Sequence, residues 1–186
     1  MRVVGGELKG RTIKTCEGPG YRPATMKVRE SVFSMLQARG VDFDSARVID
    51  LFAGSGSLGI ECLSRGVPEA WFVEKANKAA ALIRENLKTL SVDRKRFRVV
   101  PKDLFSVLNT PPQAPFDLLF IDPPYGKGLL APALELALNK GWAAEGGLIV
   151  AEVETSVRPP EEGPLSELEL LTDREYGQTR IIVWRN

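Results

Sequence analysis

Histidine is absent from the 186 residues of this chain. Its absence excludes nucleophile triads built on imidazole and histidine-ligated metal centres, and it removes the side chain used most often as a base near neutral pH. No metal is expected. Cysteine is scarce too: Cys16 and Cys62 stand in unrelated contexts, too few and too scattered for a disulfide framework, which points to a reduced, cytoplasmic setting. No apolar run approaches the roughly 18 residues that cross a bilayer. The segment Met1-Arg2-Val3-Val4-Gly5-Gly6 lacks the apolar stretch of a signal peptide, so neither export nor membrane attachment is expected. A strong surplus of charge is also missing, the formal net charge being +1.

What is present is an ordinary globular composition, 44% hydrophobic and 26% charged, at a length that suits one α/β domain. The charge is unevenly distributed. Residues 1–40 hold eight basic side chains (Arg2, Lys9, Arg11, Lys14, Arg22, Lys27, Arg29, Arg39) against three acidic ones, a balance of +5. Residues 151–175 carry eight acidic and two basic side chains, a balance of −6. A basic end on a neutral protein fits a local contact with a polyanion as well as a solvated surface.

Turn signals and periodicity alternate along the chain. Glycines at 5, 6, 10, 18 and 20 surround short β-type runs, Arg2–Val4 and Arg11–Lys14, which predicts a small hairpin and a loop. Thr25 is placed to cap a helix running to Arg39, with Val28, Val32, Phe33, Met35 and Leu36 at helical spacing. Strands are expected at Arg47–Phe52, Glu69–Val73, Arg96–Val100, Asp117–Ile121 and Gly147–Val153. Helices are expected between them at Ser57–Arg65, Asn77–Leu90, Leu104–Leu108 and Leu129–Leu138. The Pro/Glu-rich stretch Arg158–Pro164 reads as a solvated loop, and Leu165–Leu171 with Thr179–Trp184 as a closing hairpin. Strands separated by helices imply βαβ units and a mainly parallel sheet. The economical organisation is an N-terminal extension, residues 1–40, on one domain, residues 41–186, acting as a monomer.

Parallel α/β sheets bind ligands at the carboxyl ends of their strands, and the chemistry-bearing residues follow the strands here. Gly54, Gly56 and Gly59 match G-x-G-x-x-G after the first core strand, and Glu74 lies 20 residues beyond Gly54, at the end of the second. Such glycines let the backbone approach a nucleoside cofactor while the acid takes the ribose hydroxyls. Alternatively they serve only a tight turn. A dinucleotide would fit that pattern, but Asp50, just ahead of the glycines, would repel a pyrophosphate and suits an ammonium group. This favours S-adenosylmethionine over NAD. Asp103, after the third strand, is an acceptor for an adenine amino group, a helix N-cap, or both. Asp122-Pro123-Pro124-Tyr125 follows the fourth strand. An exocyclic amine is a poor nucleophile because its lone pair is delocalised into the ring. The Asp122 carboxylate and the Pro123 carbonyl can accept its two hydrogens and aim that lone pair, while Tyr125 stacks on the ring. A NAD-dependent oxidoreductase or a catalytically silent RNA-binding module leaves this tetrapeptide unexplained.

The ordered set resembles the class I Rossmann-like amino-methyltransferases, which act on adenine N6, cytosine N4, guanine N2 or protein glutamine. The flanks narrow this. Arg2-Val3-Val4-Gly5-Gly6, Lys9-Gly10-Arg11, Arg22-Pro23-Ala24-Thr25, Val28-Arg29-Glu30 with Phe33, Leu51 through Gly59, and Gly141-Trp142 are similar to the bacterial RsmD family. Ala24 departs from the threonine usual there, and Thr25 beside it could take over a capping role. The resemblance implies a seven-stranded, mainly parallel sheet with a terminal antiparallel hairpin. It also implies methyl transfer from S-adenosylmethionine, leaving S-adenosylhomocysteine, to guanine N2 of 16S ribosomal RNA, within a small-subunit particle. Asp122, Pro123 and Tyr125 would hold the guanine, and Asp50, Phe52, Gly54, Gly56, Glu74, Asp103 and Leu104, with Asp122, the cofactor. Arg2, Lys9, Arg11, Arg22, Arg29 and Lys127 are the candidate phosphate contacts.

Overall fold

The computed structural model describes residues 1–15, 25–159 and 163–186. The expected glycine-rich loop, with Arg22 and Ala24, lies outside the described residues. The first helix, α1 (Met26–Ala38), begins where expected: the Thr25 hydroxyl accepts a hydrogen bond from the Val28 N–H at 3.3 Å, and Val28, Val32, Phe33 and Leu36 form its buried stripe. There follow β1 (Arg47–Leu51), α2 (Ser57–Ser64), β2 (Glu69–Val73), α3 (Asn77–Thr89), β3 (Phe97–Val100) and α4 (Leu104–Leu108). The chain continues through β4 (Phe116–Ile121), α5 (Leu130–Asn139), β5 (Ala143–Glu154), β6 (Glu169–Tyr176) and β7 (Thr179–Arg185).

The strands lie side by side in the order β3-β2-β1-β4-β5-β7-β6. Strands β1 to β5 pair in parallel, and β7 runs antiparallel between β5 and β6. The chain winds outward from β1 to β3 and then returns to the other side of β1. The connections therefore part between β1 and β4, which opens a crevice at the carboxyl ends of these strands. This is the Rossmann-like architecture with a terminal antiparallel hairpin.

Apolar layers cover both faces of the sheet. One joins α1, α2 and α3 to Val48, Phe72, Phe120 and Val150. The other joins α4 and α5 to Ile49, Leu119, Ile121 and Trp184. Val3, Leu8 and Ile13 belong to the first layer, so the segment they lie on shares the core of the sheet, as α1 does. The expected N-terminal hairpin is present as an antiparallel bridge between Arg2 and Thr12, with Val3 N–H donating to the Arg11 carbonyl at 3.0 Å and Ile13 N–H to the Met1 carbonyl at 2.8 Å. It is also bound to α2: Val4 N–H donates to the Glu61 carboxylate at 2.7 Å, Glu7 N–H to the Ser64 carbonyl at 2.7 Å and Leu8 N–H to the Ser64 hydroxyl at 2.9 Å.

Two boundaries differ from the sequence expectation. Leu165 sits in a short 3-10 turn, Gly163–Glu167, and β6 starts only at Glu169; the Leu165 side chain is buried in the second apolar layer. Strand β5 begins at Ala143, before the expected Gly147, across a pairing irregularity opposite Phe116 and Leu118.

Candidate active site

The crevice between β1 and β4 is a cavity of about 700 Å³, within the range of roughly 300–1,000 Å³ common for small-molecule sites. Each strand end contributes to it. Asp50 and Phe52 come from β1, Gly54 from the turn into α2, Glu74 from the end of β2, Asp103 and Leu104 from the turn after β3, and Asp122 to Tyr125 from the turn after β4. Phe52, directly after β1, has φ +71°, a left-handed conformation unusual for an aromatic residue and costing about 1–3 kcal/mol.

The three glycines of the motif divide the work. Gly54 lines the cavity and gives its N–H to the Glu74 carboxylate at 2.9 Å. Gly59 lets α2 close onto β2, since a Cβ there would lie 2.3 Å from the Phe72 ring. Gly56, expected among the cofactor residues, is not one of those lining the cavity. It holds φ +80° at the start of α2, where a Cβ would meet Ile83 and Phe72 at 3.2 Å, so turn and packing account for it.

Two acids are held by backbone donors and still face the cavity. Glu74 accepts from Gly54 N–H and, through its other oxygen at 2.7 Å, from Ala76 N–H. Asp103 caps α4 by accepting from Phe105 N–H at 3.0 Å and also lines the cavity. Asp50 differs: it is 1% exposed, one oxygen accepts from Gly59 N–H at 3.2 Å, and the other has no hydrogen-bond partner. Burial, opposed by the Gly59 N–H and helped by the Glu74 carboxylate, pushes the Asp50 carboxyl up to about 7. An unpartnered buried acceptor at the cavity wall is the counterpart of a cationic donor, and it fits the ammonium group of an amino-acid moiety. The same oxygen would repel a pyrophosphate.

The Asp122-Pro123-Pro124-Tyr125 turn is anchored to the terminal strands. The Tyr125 hydroxyl hydrogen-bonds the Thr179 hydroxyl of β7 at 3.0 Å, and Gly126 N–H donates to Glu154 of β5 at 2.8 Å. Burial, then the carboxylates Glu152 and Asp50, raise the Asp122 carboxyl well above the usual range. Burial likewise raises the Tyr125 phenol, which keeps its ring neutral.

The expected basic contacts separate into three groups. Arg29 is a correction: it is 1% exposed, with Nη1 on Glu61 at 2.9 Å and Nη2 on the Arg2 carbonyl at 2.9 Å. It is a core cation and does not face phosphate. Lys9 and Arg11 are exposed, but they sit where α2 and α3 end, Leu8 N–H being bound to Ser64 and Arg11 to the Thr89 carbonyl at 3.0 Å. Those helices start at the cavity and run away from it, and the 13 residues of α3 span about 20 Å. Arg2 is exposed on the same N-terminal segment, and Lys127 is exposed two residues past Tyr125. Lys75, Lys78 and Lys102, which sequence reasoning did not select, line the cavity. Lys75 follows Glu74 and Lys102 precedes Asp103, so their proximity to motif acids was the available signal. Among the described residues no group of acidic or cysteine side chains is arranged to hold a metal ion, and no helix is long and apolar enough to cross a membrane.

Comparison with known proteins agrees with this geometry. A family model described as Conserved hypothetical protein 95 matches residues 1–185. A Bacillus subtilis protein provisionally named an rRNA methyltransferase, YlbH, is 38% identical over 187 residues, covering 100% of this chain and 98% of that protein. The Escherichia coli K12 protein named Ribosomal RNA small subunit methyltransferase D is 37% identical over 154 residues, covering 83% of this chain and 75% of its own length. The solved structure of E. coli yhhF, provisionally described as a methyltransferase, superposes with a TM-score of 0.85 at 32% identity, covering 100% of this chain and 97% of that one. With a family model spanning residues 1–185 and such identity to these relatives, the chain belongs to the RsmD family of methyltransferases.

Proposed function

We propose that the protein methylates the N2 amine of a guanine in 16S ribosomal RNA, with S-adenosylmethionine as methyl donor. One observation carries the reading: Asp122, Pro123 and Tyr125 line the same cavity as Asp50, Glu74 and Asp103, which brings acceptors for an amine next to acceptors for a cationic nucleoside. The cofactor, when bound, supplies a methyl group activated on a sulfonium. Asp50 offers its unpartnered oxygen to the ammonium group, Glu74 its remaining lone pairs to the ribose hydroxyls, and Asp103 an acceptor to the adenine amine. Asp122 and the Pro123 carbonyl take the two N2 hydrogens of the guanine, and the Tyr125 ring stacks on the base.

As nitrogen bonds to the methyl carbon, the carbon–sulfur bond breaks and the nitrogen becomes cationic. Its proton is then acidic enough to pass to Asp122, so positioning and electrostatics carry the catalysis rather than a strong base. A guanine N2 is shielded inside a stack, so the base must be flipped out or presented from a loop. The exposed Lys127 and the rim lysines Lys75, Lys78 and Lys102 are suited to the adjoining phosphates. The name of the E. coli relative supports the small-subunit RNA as substrate, which the protein would meet in a small-subunit particle in the cytoplasm.

Replacing Asp122 by Ala should lower kcat for methyl transfer by at least about a hundredfold and leave S-adenosylhomocysteine affinity within about twofold by calorimetry. The assay uses labelled methyl donor and small-subunit particles from cells lacking the gene. Undiminished turnover in that variant would remove Asp122 from the chemistry, and absence of label at any guanine with the native protein would sink the substrate assignment.

A further inference from the structure

Glu152 is a buried acid that the mechanism above leaves unused. It belongs to β5 and is 5% exposed. The parallel register pairs Phe120 with Val150 and Ile121 with Ala151, so the next position sets Asp122 beside Glu152. Side chains alternate along a strand, which places both acids on the face that carries Phe120 and Val150, with adjacent backbones about 4.8 Å apart. Asp122 and Glu152 also share the lining of a void of about 10 Å³, whose other walls are Val32, Leu58, Phe120, Ile121, Val150 and Ile181. A space of that size holds at most about one water. Both acids therefore border one apolar-walled void with almost no solvent.

The surrounding charges offset the burial of the pair only in part. On β1, Asp50 adds a third acid. From α1, the Arg29 charge lowers the Glu152 carboxyl; its two terminal nitrogens are engaged by Glu61 and the Arg2 carbonyl, and its buried Nε has no hydrogen-bond partner. From α2, Glu61 pairs with both Arg65 and Arg29. The β4–α5 turn contributes the Tyr125 phenol and Asp122 itself, and β7 presents Ile181 opposite Glu152. Burial raises the Glu152 carboxyl to about 7 despite Arg29, and Asp122 is raised by burial and by Glu152.

We propose that Glu152 is a positioning residue for Asp122, the two carboxyl groups sharing one proton. Adjacent buried carboxylates resist double ionisation, and one proton between them turns repulsion into a charge-assisted hydrogen bond. Shared between them, the proton leaves one negative charge on the pair, so Asp122, which opens on the cavity, still offers an acceptor to the substrate amine. The bond also fixes which Asp122 oxygen faces the substrate. The inference rests on Asp122 acting as that acceptor.

Carboxyl-carbon NMR titration of protein labelled at Asp and Glu tests the pair without RNA. In the native protein Asp122 and Glu152 should titrate together in two steps. In Glu152→Gln the Asp122 titration should fall by about one pH unit or more, and in Asp122→Asn the Glu152 titration should fall likewise. Titrations unmoved in both variants would overturn the proposal. In methyl transfer, Glu152→Gln retains a donor and should keep kcat within about threefold above pH 8, with its acid limb displaced downward. Glu152→Ala should lose about tenfold in kcat with KM for the particle unchanged. Equal losses in the two variants, or none in the alanine variant, would refute proton sharing. Moved NMR titrations combined with no methylation of 16S RNA by the native protein would refute the substrate assignment and leave the carboxyl pair standing.

Discussion

Arg29 and Lys127 show how one residue type takes opposite roles. Glu61 is wholly buried and accepts from Val4 N–H and Arg29, with Arg65 as a second cationic partner. Removing one member of such a pair strands a charge. Arg29→Met should therefore cost about 3 kcal/mol in urea denaturation while leaving the salt dependence of particle binding as it was. A loss below about 1 kcal/mol would put the pair in the weak range of surface bridges. Lys127→Ala should do the reverse, with stability unchanged and the slope of log K against log salt reduced by about 1. Nothing in the local sequence distinguishes these two cations, because burial depends on what the rest of the chain packs against them.

At the scale of elements, the N-terminal segment and the Asp122–Tyr125 turn are both held by parts of the chain distant in sequence. Val3, Leu8 and Ile13 are at most 9% exposed, and each buried apolar side chain stabilises by about 2 kcal/mol. Deleting residues 1–13 should therefore lower unfolding stability by at least about 4 kcal/mol, because it also removes the donors that Val4 and Leu8 give to α2. A deletion variant as stable as the full chain would show a detachable extension. Sequence periodicity identified these residues as a small hairpin, which is what short β-type runs between glycines suggest. Only the carboxylate of Glu61 and the hydroxyl and carbonyl of Ser64 explain why their N–H groups turn toward a helix.

For the whole molecule, the buried acids at the cavity make pH a probe of function. Asp50 and Glu152 are each raised to about 7 in the fold, above ordinary values of 3.8 and 4.5. Between those limits the folded protein binds more protons than the unfolded chain, so their contribution to stability falls as pH rises from about 4 to about 7. A cationic ligand at Asp50 reverses the preference. S-adenosylhomocysteine should bind more weakly as pH drops from about 8 to about 6, by up to about tenfold per unit below 7. Calorimetric titration across this range should show that dependence in the native protein and a nearly flat one in Asp50→Asn. A native affinity independent of pH would mean that Asp50 does not meet the ammonium group.

The order of motifs along the chain determined much of this protein. Glycines after one strand, single acids after the next two and a proline pair after the fourth could be read because ligand-binding residues of parallel sheets follow their strands, and strands announce themselves by short apolar runs. The seven-stranded architecture was legible for the same reason, as was Thr25 as a cap. Tertiary structure decided what depends on neighbours: that Arg29 is a core cation, that Gly56 serves packing, that Lys9 and Arg11 stand a helix length from the cavity, and that Glu152 adjoins Asp122. The reason is physical. Periodicity and turn chemistry act over a few residues, whereas burial and charge pairing are set by strands and helices far apart in sequence, as β4 and β5, which bring Asp122 and Glu152 together, are.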